Sequence, residues 1–236
     1  MAKRFPHGLP TGWFQVAHGH ELAPGQVLPL RYFGRDLVLF RAESGEPHLL
    51  DAFCPHLGAH LGHGGKVRGE RLVCPFHAWE LEGSGRCVHV PYAERQPRRA
   101  AVRPWPLVER NGLLFAWHDR ASRAPLWEVP VIPEHGDPAW SDYRTGEWRI
   151  RTSVQDMAEN QVDAAHFLYV HGSARVPTTV AERHGHRLHV RSTTSATTPI
   201  GDSCLGERDS TRLRSTLREW PRPRRLAQRN GVPCED

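Results

Sequence analysis

The sequence predicts a mainly β chain with an α+β second part, and three observations carry that expectation. Between residues 12 and 117, short apolar segments recur with Gly-rich turns between them. Residues 119–146 carry Pro125, Pro130, Pro133 and Pro138, spaced as in a linker. Beyond them, Ser153-Val154-Gln155-Asp156 reads as a capped helix start, and 187–192 alternates like a strand.

The first strand is expected over 12–17, GWFQVA. Segments 26–33 and 35–41, split by Gly34, read as a hairpin. Pro29 has no N–H to donate, which puts the first of these strands at a sheet edge. Segment 48–53 leads into one motif-bearing loop, 71–73 leads into a second, and 111–117 closes this half as a small β-sandwich. In the second half a strand is expected over 147–151, followed by one helix over 154–169 in which the Ser153 hydroxyl caps free N–H groups. No internal repeat is present. Residues 201–236 are Arg-rich, as in Arg222-Pro223-Arg224-Arg225, and poor in apolar residues, a composition that builds no core. The expected organisation is therefore 1–118, a 119–146 linker, 147–200, and an atypical tail over 201–236.

The chain of 236 residues suits one large or two modest domains. A hydrophobic share of 39% and a charged share of 24% are ordinary for a globular protein. No apolar run reaches the length of a membrane span. The N-terminus, MAKRFPHGLPTGWF, lacks the apolar core of a signal peptide, so a cytoplasmic location is expected. Five Cys do not form a disulfide framework. The net charge of +5 comes from scattered residues with no lysine-rich stripe, which argues against nucleic acid. It reads as a solvated surface able to meet an acidic electron carrier.

Two loops carry the chemistry. Cys54-Pro55-His56 is followed, after seventeen residues, by Cys74-Pro75-Phe76-His77. Structural zinc sites usually pair Cys with Cys and His with His, whereas here each loop offers one of each. That donor set suits a Rieske [2Fe–2S] centre, with two Cys on one iron and two His on the other, and zinc is the alternative. With their neighbours, FCPHLGAHLGHGG and VCPFHAWELEGSGRC, the loops resemble the Rieske domain family. His60 and His63 fall outside the four donor positions and read as surface residues. Cys87 reads as a buried structural thiol, and Trp79 as a shield or plain core residue.

A second constellation follows in ENQVDAAHFLYVHG. On a regular helix Asn160, Asp163 and His166 share a face. His171 would point roughly 140° away from His166, so both imidazoles reach one ion only if the helix ends or widens between them. Gly172 supplies a stop signal. Two His with a carboxylate form the facial triad of non-haem Fe(II) oxygenases.

ENQVDAAHFLYVHG resembles the mononuclear-iron motif of Rieske non-haem iron oxygenases, and the likeness runs from about residue 5 to 200. CPHLGAHLG, CPFHAWELEGSGRC, VPYAERQPRR and LLFAWHD resemble the branch of ketosteroid 9α-hydroxylases and cholesterol 7-desaturases. The resemblance implies a Rieske β-sandwich followed by a helix-grip-like antiparallel-sheet catalytic domain. It implies Cys54, Cys74, His56 and His77 as [2Fe–2S] ligands, and His166 and His171 as ligands of a mononuclear Fe(II). Asp163 would bridge a cluster His of a neighbouring subunit to an iron-bound His. Asn160 reads either as a residue near the iron or as one that caps or solvates the helix, and Tyr169 as facing substrate. Implied partners are a ferredoxin or flavin reductase, O₂ and an apolar substrate, within a homotrimer. The family's third iron ligand, an Asp on a late helix, has no counterpart here. Asp202, Asp209 and Asp236 lack its context, so the catalytic domain is expected to be incomplete. The alternatives are an electron-transfer protein using only the cluster, or an inactive truncated oxygenase.

Overall fold

The computed structural model describes residues 8–95, 97–146, 150–173, 175–193 and the backbone of 213–214. The chain divides into two units, Met1–Ile132 and Pro133–Asp236.

The first unit is built from eleven short strands among the described residues, all paired antiparallel. They are β1 (Gly12–His18), β2 (Val27–Tyr32), β3 (Arg35–Arg41), β4 (Pro47–Asp51), β5 (Lys66–Arg68) and β6 (Arg71–Val73), continuing with β7 (Glu80–Glu82), β8 (Cys87–His89), β9 (Pro104–Trp105), β10 (Leu107–Arg110) and β11 (Leu113–His118). They form three sheets, ordered β1-β11-β10, β2-β3-β4-β9 and β5-β6-β7-β8. As Pro29 predicts, β2 is an edge strand. The β2–β3 turn places both Phe33 and Gly34 at positive φ, the backbone of a two-residue hairpin turn that matches strand twist.

Strand β3 organises the unit. Its Leu37-Val38-Leu39-Phe40 run is fully buried on both faces. Because side chains alternate across a strand, Leu37 and Leu39 join one core with Val16, Leu22, Leu49, Trp105 and Leu114. Val38 and Phe40 join another with Leu50, Leu61, Leu72 and Leu81, and with Cys54 and Cys74. Each of these fully buried side chains contributes about 1.5–3 kcal/mol. Arg41 ends the strand inside the protein, its guanidinium donating to the carbonyls of Leu22 (2.6 Å) and Gly45 (2.7 Å) and to Glu109 Oε2 (2.7 Å).

Segment 119–146 is not a uniform crossing. Its first part, to Ile132, packs on the first unit. Val129 and Ile132 are buried, Trp127 meets Trp117 edge-on, and the Trp13 indole N–H donates to the Trp127 carbonyl at 2.7 Å. Asn111 holds the same strap through both ends of its amide, donating to Pro130 O and accepting from Ile132 N–H. The proline spacing predicts a free segment here because it reports local backbone preference and not the tryptophans that recapture the chain.

In the second unit, α1 (Val154–Val162) starts as Ser153 predicts. The Ser153 hydroxyl accepts from Asp156 N–H at 3.1 Å while Asp156 accepts from Ser153 N–H. The single helix expected over 154–169 is corrected to two. The chain breaks at Asp163 (φ −77°, ψ 97°), whose Oδ1 accepts from Ala165 N–H, and resumes as α2 (Ala165–Tyr169). An Asp that bonds its own downstream backbone competes with helix continuation. β12 (Thr178–His184) and β13 (Arg187–Thr193) form a hairpin turning at Gly185, and the backbone of β14 (Leu213–Arg214) pairs with β13. Sequence alternation finds β13 and misses β12. The strand expected over 147–151 falls mostly outside the described residues, as does the 201–236 tail apart from β14. Among the described residues no helix is long and apolar enough to cross a membrane.

Asp119 ties the strap to the first unit. It accepts from Arg123 (2.6 Å), from Thr11 Oγ1 and from the Ala121 N–H, and the Arg123 guanidinium foremost holds its carboxyl well below the usual range. A depressed folded pKa gives stabilisation that is present above the unfolded value, about pH 4, and is lost as pH falls below it. The stability difference between wild type and Asp119→Asn, read by denaturant titration, is therefore largest at neutral pH and shrinks below about pH 4.

Candidate metal centres

The two motif loops are the same turn made twice. In the first, Gly58 N–H donates to Cys54 O (3.0 Å) and Cys54 N–H donates to Ala59 O (2.9 Å). In the second, Ala78 N–H donates to Cys74 O (3.1 Å) and Cys74 N–H donates to Trp79 O (2.8 Å). The fourth residue after each Cys takes positive φ, 73° at Gly58 and 54° at Ala78. One turn thus projects a Cys and a His on each side of a shared space.

Both thiols are buried, Cys54 at 3% and Cys74 at 4% exposure. Burial pushes the Cys54 thiol up to about 11, a His56 backbone hydrogen bond offsets part of this, and the adjacent Cys74 sulfur raises it again. A bound cation would offset the cost of the Cys54 thiolate in this setting. The His56 and His77 rings meet edge to face, 4.8 Å apart between centroids. His56 Nδ1 is buried without a hydrogen-bond partner among the described residues. An orphaned buried acceptor or donor costs about 1–3 kcal/mol, which a bound metal removes. His77, in contrast, is exposed. Sulfur with sulfur and imidazole with imidazole is a donor set that fits a binuclear iron–sulfur group. Among the described residues no three His, Cys, Asp or Glu side chains converge as a single-ion site.

The other residues of these loops fall outside the donor space. His60 accepts from Gly62 N–H and lies against His63, ring centroids 4.2 Å apart; burial and His63 lower its pKa. Cys87 is a buried free thiol whose Sγ lies 3.7 Å from His89 O. Trp79 stacks on His56, with ring centroids 4.5 Å apart and planes 9° apart. The sequence motif does not reveal the positive φ at Ala78, because nothing but the C-x-x-x-G spacing of the first loop hints at it.

In the second unit, α2 ends before His171, and the turn widens so that His171 N–H reaches His166 O at 3.4 Å. The His166 and His171 rings come to 5.1 Å between centroids. His166 Nδ1 donates to the Asp163 carbonyl, which leaves its Nε2 for a ligand; metal-binding His commonly show this arrangement. Asp163 lies exposed in the helix break and Asn160 exposed on the last turn of α1, so the face shared by Asn160, Asp163 and His166 on one regular helix is not kept. Tyr169 is 82% exposed.

Residues 12–106 match the Rieske [2Fe-2S] domain, and residues 116–218 match the 3-ketosteroid 9alpha-hydroxylase C-terminal domain. A first unit of antiparallel sheets presenting paired Cys-His loops is thus an iron–sulfur domain of the Rieske class. With its second match, the chain belongs to the Rieske non-haem iron oxygenases.

A cholesterol 7-desaturase of Bombyx mori is 38% identical over 74% of this chain and 38% of its own length. A probable 3-ketosteroid-9-alpha-monooxygenase oxygenase component of Rhodococcus rhodochrous is 39% identical over 70% of this chain and 42% of its own. The chain spans about two-fifths of the length of these curated relatives. Dicamba monooxygenase bound to dicamba superposes with a TM-score of 0.61 at 27% identity, covering 78% of this chain and 58% of that one. NdmA of Pseudomonas putida CBB5 with caffeine gives 0.69 at 23% identity over 80% and 58%, a likeness of fold alone.

Ala78 holds a conformation that disfavours any Cβ, while Gly58 holds its equivalent with open space around it. Ala78→Gly is expected to stabilise the domain by about 1 kcal/mol and Gly58→Ala to destabilise it similarly, read by denaturant melts of each variant.

Proposed function

We propose that the chain is the oxygenase component of a multicomponent system acting on an apolar, steroid-like substrate by hydroxylation or desaturation. The observation that carries the reading is the partnerless, buried His56 Nδ1 beside two buried thiols. Cys54 and Cys74 would hold one cluster iron and His56 and His77 the other, while His166 and His171 would hold a mononuclear Fe(II). When bound, the cluster supplies single electrons and the mononuclear iron supplies O₂ activation. His77 presents an exposed edge to a ferredoxin or flavin reductase. The Asp163 carbonyl engages His166 Nδ1, so Nε2 is the ring nitrogen left to face a metal. The exposed Asp163 carboxylate is open to a second chain, which supports a bridging place between subunits of a homotrimer. The steroid-like substrate rests on the names of the relatives. Free thiols at Cys54, Cys74 and Cys87 support a reducing, cytoplasmic setting.

A second reading is an electron-transfer protein, or an inactive oxygenase, that uses the cluster alone. It is favoured by the absence, among the described residues, of a third donor converging with His166 and His171. Iron analysis separates the two. The oxygenase reading expects about three irons per chain, falling to about two in His166→Ala with the visible cluster spectrum unchanged. About two irons in wild type, unaffected by His166→Ala, supports the second reading. Cys54→Ser is expected to abolish the cluster spectrum in either case.

A further inference from the structure

The imidazole of His56 is not held by its own loop alone. Its face lies flat on the Trp79 indole, and the Trp79 indole N–H donates to the Tyr92 hydroxyl at 2.7 Å. Tyr92 stands beyond β8, well outside both motif loops, and is 62% exposed. A stacked indole can slide or turn about its χ angles unless its N–H is fixed, and here one hydrogen bond fixes it. The ring so held is the one whose Nδ1 is turned inward and left without a partner. His77 is edge-on to His56 and exposed, so the clamp acts on one imidazole only.

We infer that Tyr92 is a positioning residue for the metal centre, locking Trp79 against His56 and so setting the orientation and the water exposure of that ligand. The inference rests on the [2Fe–2S] reading of the four donors. Its consequence is electrochemical. Reduction adds one negative charge to the centre, and water stabilises added charge better than an aromatic face does. Freeing the indole admits water to the His56 side and raises the reduction potential. Partners beyond the direct ligands commonly tune a metal site in this way.

The test uses the full chain with its cluster reconstituted, in wild type, Tyr92→Phe, Trp79→Phe and the double variant. Tyr92→Phe keeps the ring and removes the acceptor; Trp79→Phe keeps an aromatic face and removes the N–H. Each single variant is expected to retain iron and sulfide, to show an upward shift of potential by protein-film voltammetry, and to change the g-value spread in the EPR spectrum of the reduced cluster. The two shifts should not add in the double variant, because both remove one hydrogen bond. Tyr92→Gln, whose amide carbonyl can accept from the indole, should move potential and spectrum back toward wild type. Fully loaded single variants with the wild-type potential and spectrum overturn the inference, as do shifts that add, or cluster loss in Tyr92→Phe that Tyr92→Gln fails to restore. Wild type that takes up no [2Fe–2S] cluster sinks the reading of the centre itself, and this inference with it.

Discussion

The first unit depends on a strand with no outer face. Leu37, Val38, Leu39 and Phe40 of β3 are all fully buried, alternate residues serving opposite cores. One core joins the β1-β11-β10 sheet to the β2-β3-β4-β9 sheet. The other carries Cys54 and Cys74 among its members, so the donor loops share a core with Phe40 and Val38. A shift of β3 by one residue would exchange the two sets and disturb both cores at once. β4 repeats the device on a smaller scale, with Leu49 on one side and Leu50 on the other. The buried Arg41 closes the strand by filling its donors with carbonyl and carboxylate partners, which blocks that slip at the end nearest Glu109.

The two donor sets are held very differently. Cys54 and Cys74 stand in a packed core, with backbone hydrogen bonds on both sides of each. His166 and His171 stand on a five-residue helix and the turn after it, beside exposed Tyr169 and Val170. What orders them is local, namely the Asp163 carbonyl on His166 Nδ1 and the widened turn at His171. A site built this way draws little rigidity from its surroundings, since short isolated helices are weak in water.

Much of this was legible from local patterns. Alternation and turn residues located most strands of the first unit, Pro29 correctly marked an edge, and Ser153 correctly marked a helix start. The pairing of one Cys and one His per loop pointed to the type of centre. Long-range effects were not legible. The recapture of residues 119–132 depends on Trp13 and Asn111, which reach Trp127 and Pro130 from far back in the chain, and on Trp117 against Trp127. The break at Asp163 was hidden because a 3.6-residue pattern continues through it, while the Asp side chain bonds to Ala165 instead. β12 was missed because Thr178–His184 is mostly solvent-facing, which leaves no clear apolar alternation to read. Tyr92 lies in the VPYAERQPRR segment, but its hydrogen bond to Trp79 is set by folding and not by spacing.

The repeated turn around Cys54 and Cys74 has a thermodynamic meaning beyond ligand geometry. Each turn is closed by its own pair of backbone hydrogen bonds, and neither closure involves a donor side chain. The closure of each turn is thus made by main chain alone, unlike small zinc modules in which metal binding and folding are one event. Insertion then asks for almost no ordering of the main chain, and its free energy goes into bonding rather than into conformational entropy. In such a shell the work of placing a cofactor falls on four side chains and not on the fold of the two loops.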